Sequence, residues 1–520
     1  MVGRESFEVE WQFDASDLES VAQWLRAQPA DAAYSLEERG EQQQHDTYSD
    51  TPTWHLYHAG YTLRVRERSD ATETTLKALA RRVGGPVSRA EFTEGGPLAE
   101  VVTGDGTVGT RLYALLRGHA PLSLLTVETR RRTWLLRHGS TVLAEIALDD
   151  TTLQATDGAS SHLSRVEVEA VEPGRLDAIA PFVEAMQAAC GLIAATATKF
   201  ECGLRLADLH PTAPDLGAAA ISPDDRAVDR AYAVLRRRFA EFLTSEGGVA
   251  LGEDPEYVHK MRVSARRLRA ALQMLQAVLP PSLTEARDGF RWFAEVLGPV
   301  RDLDVQLAYL ESVRHADGGD DAEAFEPLIA QFQRQRSIAH SDLVEALDSP
   351  RYTDLVTAVR EALIAGPALH APGVFSREHA RPLIRRRYRQ FRDDARLLRR
   401  ASPHVEYHAL RVRGKRLRYS IELFNDLFGA TGRRVLNSLQ RLQDLLGELQ
   451  DLDATDARLQ RLVETPRAEL SPMAFVLIGR LIERHRDRST QIVRAFPRTR
   501  HAVFEEFARL ERLLRRAPSS

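Results

Sequence analysis

The chain has 520 residues, too many for one ordinary hydrophobic core, so two or three domains are expected. Apolar residues make up 43% and charged residues 28%, a soluble globular profile. The start, MVGRESFEVEWQF, lacks a basic segment followed by an apolar one, and no stretch approaches 18 uninterrupted apolar residues. A signal peptide and a membrane span are therefore excluded as expectations, and a cytoplasmic location is expected. The two cysteines, Cys190 and Cys202, are then ordinary reduced thiols.

The net charge of −4 conceals an asymmetry. Residues 1–210 hold 20 Lys and Arg against 31 Asp and Glu, whereas the remainder holds 50 against 43. A basic half of this kind suggests an acidic partner. Lysine occurs only at Lys77, Lys199, Lys260 and Lys415. Against so many arginines, each marks a candidate position for a compact ammonium.

In chain order, period-two runs predict strands at Phe7 to Phe13, Thr62 to Arg68, Glu73 to Leu79, Arg89 to Thr93, Leu125 to Leu136, Thr141 to Leu148 and Ser164 to Val171. Helices are predicted at Asp17 to Ala27 and Arg175 to Ala189. Charges occupy one face of these strands: Glu8 and Glu10 around Val9, Arg64 and Arg66 around Val65, Arg130 and Arg132, then Arg165, Glu167 and Glu169 around Val166 and Val168. A barrel of such strands encloses both signs of charge, which is costly without a ligand. Carboxylates suit Mg²⁺ or Mn²⁺, and guanidinium groups suit phosphate oxygens. Together they describe a site for a metal-chelated polyphosphate.

These residues resemble the CYTH family of triphosphate-tunnel proteins, over roughly residues 4–205. FEVEWQF resembles the opening ExExK signature, YSDTPTWHLYHAGYTLRVRER the YxDTP…LRxR segment, and TTLKAL the TxK strand. SRAEFTE is similar to the RxExE strand, RVEVEA to the late ExE strand, and TKF to the closing Ser-Lys-aromatic element. The resemblance implies a tunnel of eight antiparallel strands and metal-assisted attack of water on a terminal phosphoryl group. Glu8, Glu10, Lys77 and Arg89 would form the catalytic set. Glu8 and Glu10, assisted by Glu167 and Glu169, would hold Mg²⁺ or Mn²⁺. Arg64, Arg66, Arg130, Arg132 and Lys199 would bind triphosphate, and Glu91, Glu145 and Asp149 match further acidic positions. Two positions depart from the pattern: Gln12 replaces the signature lysine, and Thr93 the last glutamate of RxExE. They leave open a catalytically impaired polyphosphate-binding protein.

Residues 206–224 are expected to be a linker, rich in Pro, Gly, Ala and Asp, and residues 225–515 a helical domain. A break at 366–373 divides it into repeats, 225–365 and 374–515. Residues 259–304 (HKMRVSARRLR…LGPVRDLD) and 408–453 (HALRVRGKRLR…LGELQDLD) match at a constant offset of 149. Two related helical bundles about a pseudo-twofold fit this duplication better than a solenoid. His259, Arg262, Arg266 and Arg269 fall on one helical face, and His408, Arg411, Lys415 and Arg418 repeat them. Such a stripe repels itself and calls for an anion, or for pairing with Asp302, Asp304, Asp451 and Asp453.

This half resembles the CHAD family, the conserved-histidine α-helical domain, on the HxxRVxxRRLR and LGxxRDLD segments. The resemblance implies that the eight stripe residues bind inorganic polyphosphate. The overall expectation is an α+β multidomain protein: an eight-stranded antiparallel β tunnel followed by an all-α duplicated bundle. It hydrolyses triphosphate or polyphosphate, and polyphosphate granules are a possible site. Adenylate cyclase and thiamine triphosphatase are lesser alternatives within the tunnel family. A nucleic-acid partner is disfavoured, because no aromatic stacking strand or groove-reading motif is present.

Overall fold

The computed structural model describes residues 4–29, 34–69, 71–79, 85–221, 225–276, 278–317, 322–367, 377–464 and 472–515. The chain forms two compact units: Met1–Pro214 with Thr244–Glu253, and Asp215–Leu243 with Asp254–Ser520. Residues 222–224 of the expected linker and 368–373 of the expected break lie outside the described residues. The linker's other residues are divided between the units. Those up to Pro214 belong to the first; from Asp215 they pack in the second, where Leu216 is buried and Arg236 Nη1 donates to Ala218 O at 3.0 Å.

The first unit is built from β1 (Arg4–Asp14), α1 (Leu18–Arg26), β2 (Ser35–Asp50), α2 (His55–His58), β3 (Tyr61–Glu67), β4 (Thr72–Ala78), β5 (Val87–Gly95), α3 (Leu98–Val101) and α4 (Thr107–Leu116). It continues with β6 (Leu122–His138), β7 (Thr141–Ala155), β8 (Ser160–Ala170), α5 (Leu176–Cys190), β9 (Ile193–Ala194) and α6 (Lys199–Leu206). The sheet runs β5-β4-β3-β2-β6-β7-β8-β1-β9, and β1 also pairs with β5. That pairing closes β1 to β8 into an eight-stranded barrel in which every pairing is antiparallel. Closure removes the exposed edges of an open sheet. Both cysteines are free.

Alternation sets the faces. Val9, Phe13, Trp134, Leu136, Val166 and Val168 point outward and form one core beneath α1 and α5. Leu63, Leu76 and Phe92 do the same beneath α2, α3 and α4. A short helix, α8 (Glu246–Leu251), groups with this unit: Leu251 joins the second core, and Arg117 Nε lies 3.4 Å from Glu246. Its run EGGVAL is too short to show amphipathic periodicity, so nothing in the sequence pattern separates it from its helical neighbours.

Helix α6 occupies the inner face. Phe200 and Leu204 pack on Tyr48, Leu125, Val127 and Leu153, closing the barrel at that end. A capping box fixes the helix start: Glu201 N donates to Thr198 Oγ1 at 3.2 Å, and Thr198 N donates to Glu201 Oε2 at 2.7 Å. The contact needs Gly203, because a Cβ there would stand 2.6 Å from Leu125 Cδ2. Gly203→Ala is expected to cost about 1–3 kcal/mol through overpacking. A urea-unfolding midpoint equal to wild type would contradict this.

The second unit is all helical: α7 (Ala227–Leu243), α9 (Pro255–Leu275), α10 (Pro281–Asp317), α11 (Ala322–Asp348), α12 (Pro350–Ala365), α13 (Arg377–Leu397), α14 (His404–Leu423), α15 (Asn425–Glu464) and α16 (Pro472–Arg515). The offset of 149 carries α7 onto α13, α9 onto α14, α10 onto α15 and α11 onto α16. It extends to residues outside the sequence motifs, such as Phe239 with Tyr388 and Phe242 with Phe391, all buried. The two halves differ at one break. Ser349 caps α12 and Pro350 starts it, whereas the corresponding stretch of α16 runs on as one helix. One core joins α10, α11, α15 and α16 through Leu310, Phe332, Leu459 and Leu481.

Candidate functional site

The barrel holds a cavity of about 390 Å³ lined mostly by charged side chains. Because Val9, Trp11 and Phe13 face the outer core, Glu8, Glu10 and Gln12 face inward. The same parity brings Glu167 and Glu169 from β8, Arg64 and Arg66 from β3, Lys77 from β4 and Arg89 from β5 into the lining. Lys199 enters from the first turn of α6. Glu91 and Glu145 line the cavity too.

Two of the expected phosphate ligands are not there. Arg130 is exposed and its Nη2 donates to Asp150 at 2.9 Å; Arg132 Nη1 donates to Glu19 of α1 at 2.8 Å, on the outer face. The lining residue is Arg131 between them. The reason is parity: Trp134 and Leu136 belong to the outer core, so Arg132 and Arg130 share the outer face. Three consecutive arginines hide which one turns inward.

Inside, the charges form linked pairs. Lys77 Nζ lies 3.1 Å from Glu8 and 3.0 Å from Glu91. Arg89 donates to Glu8 at 2.8 Å and to Glu10 at 2.5 Å. Arg131 Nη2 bridges Asp149 and Glu167 at 2.6 Å each, and Lys199 Nζ contacts the same two carboxylates. Arg66 holds Asp46 in a fork with both distances 2.7 Å. Asp46 was not singled out in the sequence; its only signal was its place in the strand, on the inward face near Tyr48.

Burial dominates the protonation of these carboxyls, and the neighbours decide its direction. Glu10, 2% exposed, is pushed up to about 8 by burial, and Arg89 only partly opposes this. Glu169 keeps access to solvent, yet the protein around its carboxyl, then the nearby Glu8, raises it to about 7. At Glu8, burial is overcome by Lys77 and Arg89, which hold it at about 2. Burial of Glu167 is likewise overcome by Lys199 and Arg131, which hold it well below the usual carboxylate range.

The donor set suits a hard divalent cation. Glu10, Glu169 and Glu145 are register partners on three adjacent strands, β1, β8 and β7. Burial first, then neighbouring carboxylates, raises Glu10 and Glu169, and a bound cation would relieve both. Among the described residues no three acidic or imidazole side chains already form a metal cage. The reason is visible in the pairs: Glu8 and Glu10 are held by Lys77, Arg89 and Gln12, whose Nε2 donates to Glu10 Oε1 at 2.8 Å.

The helical unit has its own basic cavity of about 390 Å³. His259, Arg262 and Arg266 from α9 line it with Arg411, Lys415 and Arg418 from α14. Arg301, Asp302, Gln440, Gln443, Asp444 and Asp451 complete the walls from α10 and α15. Two expected contact residues are not brought in. Arg269 lies further along α9, beside Arg291, Glu295 and Arg287 of α10, and His408 is solvent-exposed outside the lining. Gln450 in the second repeat takes the place of the Arg301 that accompanies His259.

Intramolecular pairing with the repeat-closing aspartates is partial. Arg262 Nη1 donates to Asp302 at 2.9 Å, but Asp304 pairs with Arg336 at 2.6 Å and Asp453 with His404 at 2.7 Å. Arg411 Nη1 donates to Gln450 at 2.9 Å, leaving its buried Nε and the buried Gln443 Nε2 without acceptors. Such orphaned donors are costly unless an anion meets them. Burial, then Arg266 and Arg411, pushes the Lys415 ammonium down to about 6.

A barrel with a charged interior is joined to a duplicated helical bundle with a basic cavity of its own. The CYTH domain model matches residues 17–175 and the CHAD domain model matches residues 233–460. The chain is therefore a CYTH domain followed by a CHAD domain. Among curated proteins no sequence matches it. Of solved structures, the CHAD domain from the plant Ricinus communis is 27% identical, with a TM-score of 0.47, over 56% of this chain and 97% of that one. PptA from Streptomyces chartreusis is 22% identical, TM-score 0.43, over 53% and 99%. A putative adenylyl cyclase from Hippeastrum, described as having a dominant triphosphatase activity, is 17% identical, TM-score 0.27, over 38% and 95%. Among the described residues no helix is long and apolar enough to cross a membrane.

Proposed function

We propose that the barrel hydrolyses inorganic triphosphate or the end of a polyphosphate chain with a divalent cation, Mg²⁺ or Mn²⁺, and that the helical unit binds polyphosphate. The observation that carries this reading is the facing arrangement in one cavity: the acidic row Glu10, Glu169 and Glu145, with Arg64, Arg66, Lys77, Arg89, Arg131 and Lys199 around it. A metal-bound phosphate chain neutralises both sets at once.

Glu8, Glu10, Glu167 and Glu169, with Glu145, would hold the metal, which when bound supplies positive charge and an acidified water. The chain's own residues do the rest. Lys77 and Arg89 exchange their carboxylate partners for phosphate oxygens, and Arg64 and Arg66 orient the chain. Arg131 and Lys199 stabilise charge on the phosphoryl group that departs. Burial keeps the site dry enough for these interactions to count. Joined on one polypeptide, the two binding units hold long chains more tightly than either alone.

A second reading has one observation behind it. Gln12 occupies the signature lysine position and ties Glu10, so a barrel that binds polyphosphate without cleaving it is the competing case, including a granule-associated role. Phosphate release from tripolyphosphate with Mg²⁺ or Mn²⁺ separates them. The hydrolytic reading expects release that stops with EDTA and falls to background in Glu10→Ala. Equal, negligible release from wild type and variant would remove it in favour of binding alone.

A further inference from the structure

The two repeats carry equivalent grooves that differ in charge. In the first, Arg237 and Arg238 of α7 face Arg267 of α9 and Glu422 of α14, and the space is only about 30 Å³. Two of its three cations have carboxylate neighbours: Arg238 pairs with Glu241 at 2.9 Å, and Arg267 lies 3.7 Å from Glu422. The offset of 149 carries Arg237, Arg238 and Arg267 onto Arg386, Arg387 and Arg416. It carries both acids onto glutamines: Glu241 corresponds to Gln390, and Glu422 to Gln273. Arg413, which lines the second groove, corresponds to Ser264 in the first repeat.

The second groove, between α13, α14 and α9, is correspondingly open, at about 570 Å³. Among the described residues neither Arg386 nor Arg416 has a carboxylate partner. Arg413 pairs with Asp394. Arg387 is anchored by Nη1 alone, donating to Arg416 O at 2.9 Å and Ser420 Oγ at 2.7 Å, so its other nitrogens remain available. Burial and the adjacent Arg416 and Arg386 hold the Arg387 guanidinium below its ordinary range, as expected of a cation facing only cations. Ala409, Val412 and Arg416 place this groove on a different face of α14 from Arg411, Lys415 and Arg418, and the two cavities share no lining residue.

We propose that this groove is a second anion site that takes a short condensed phosphate, independently of the His259–Lys415 cavity. Four guanidinium groups line one space, and with Arg413 paired to Asp394 the other three stay uncompensated among the described residues. A di- or triphosphate offers several anionic oxygens to their forked donors, and Gln273 and Gln390 add amide donors. Loss of both acids from one repeat and retention in the other divides the labour between the halves.

Phenylglyoxal labelling of the full chain, read peptide by peptide, tests this. Saturating tripolyphosphate is expected to slow labelling at Arg386 and Arg416 at least fivefold. The same protection is expected in an Arg262→Ala/Lys415→Ala variant, and Gln273→Glu/Gln390→Glu should abolish it without lowering the melting temperature. Unchanged labelling would overturn the proposal. So would protection that requires an intact first cavity or only a long polyphosphate chain, because the groove would then merely carry a polymer anchored elsewhere. With EDTA present throughout, none of these readouts depends on hydrolysis in the barrel, so failure of that reading stays distinguishable.

Discussion

Replacing Arg131 by alanine is expected to reduce tripolyphosphate turnover about 10²–10³-fold, the scale for removing one preorganised charge-stabilising donor. Replacing Arg130 or Arg132 should leave the rate within about twofold and stability within about 0.5 kcal/mol, as for ordinary surface sites. The contrast follows from partners. Arg131 bridges Asp149, which is 0% exposed, and the partly buried Glu167, so its loss leaves Lys199 as the cation in contact with both carboxylates among the described residues. Breaking a buried pair from one side costs roughly 3–5 kcal/mol. Arg131→Lys keeps a charge but not the fork, and is expected to recover stability more than rate. Steady-state kinetics with a denaturation curve for each variant checks the set. An Arg130→Ala loss equal to that of Arg131→Ala would reverse the assignment of faces.

Polyphosphate binding by the helical unit is expected to weaken about tenfold per pH unit above pH 6, and to take up close to one proton at pH 8. The group responsible is Lys415, which burial and Arg266, Arg411, Arg262 and Arg418 hold at about 6. Asp302 faces it from α10, and Asp444 and Asp451 from α15. An anion in the cavity restores the ammonium toward its ordinary value near 10.5, so binding requires protonation wherever the free group is neutral. His259, also lowered by burial and Arg301, adds to the fall in the same direction at the acid end. The sign for the unliganded fold is opposite. The unfolded chain holds this proton up to about 10.5 and the folded one only to about 6, so stability rises with pH across that window. Lys415→Arg should flatten the affinity profile. Calorimetry in buffers of different ionisation enthalpy measures the uptake, and a flat wild-type profile without proton uptake would sink the idea.

How much of this was readable beforehand depended on whether one face of an element carried apolar residues. Val9, Trp11, Val166 and Val168 declared the outer face of β1 and β8, so Glu8, Glu10, Glu167 and Glu169 could be assigned inward. In β6 the run Arg130, Arg131, Arg132 has Thr129 and Thr133 on either side, which side with neither face. The parity is set by Trp134 and Leu136, whose destination under α1 and α5 is a tertiary fact. Strand β2 was missed altogether, because its middle, GEQQQHD, is polar on both faces and shows no alternation. In the bundle, helical spacing found the stripes but not their neighbours. Arg269 sits on the predicted face yet beside a different part of α10, and His408 shares its motif with His259 but not its walls. The uncompensated groove on α13 was invisible for a related reason: it is defined by two missing acids in one repeat, which mean nothing until the helices are brought side by side.

Helix α6 has a consequence for how a polymer is consumed. Phe200 and Leu204 are seated against Leu125, Val127 and Leu153 inside the barrel, and Lys199 lines the cavity from the first turn of the same helix. Under the proposed hydrolytic function, α6 would bar a long phosphate strand from threading past Lys199, so a terminus would be the part that meets the acidic row. Digestion should therefore shorten chains stepwise from an end, and a cyclic condensed phosphate, having no terminus, should resist.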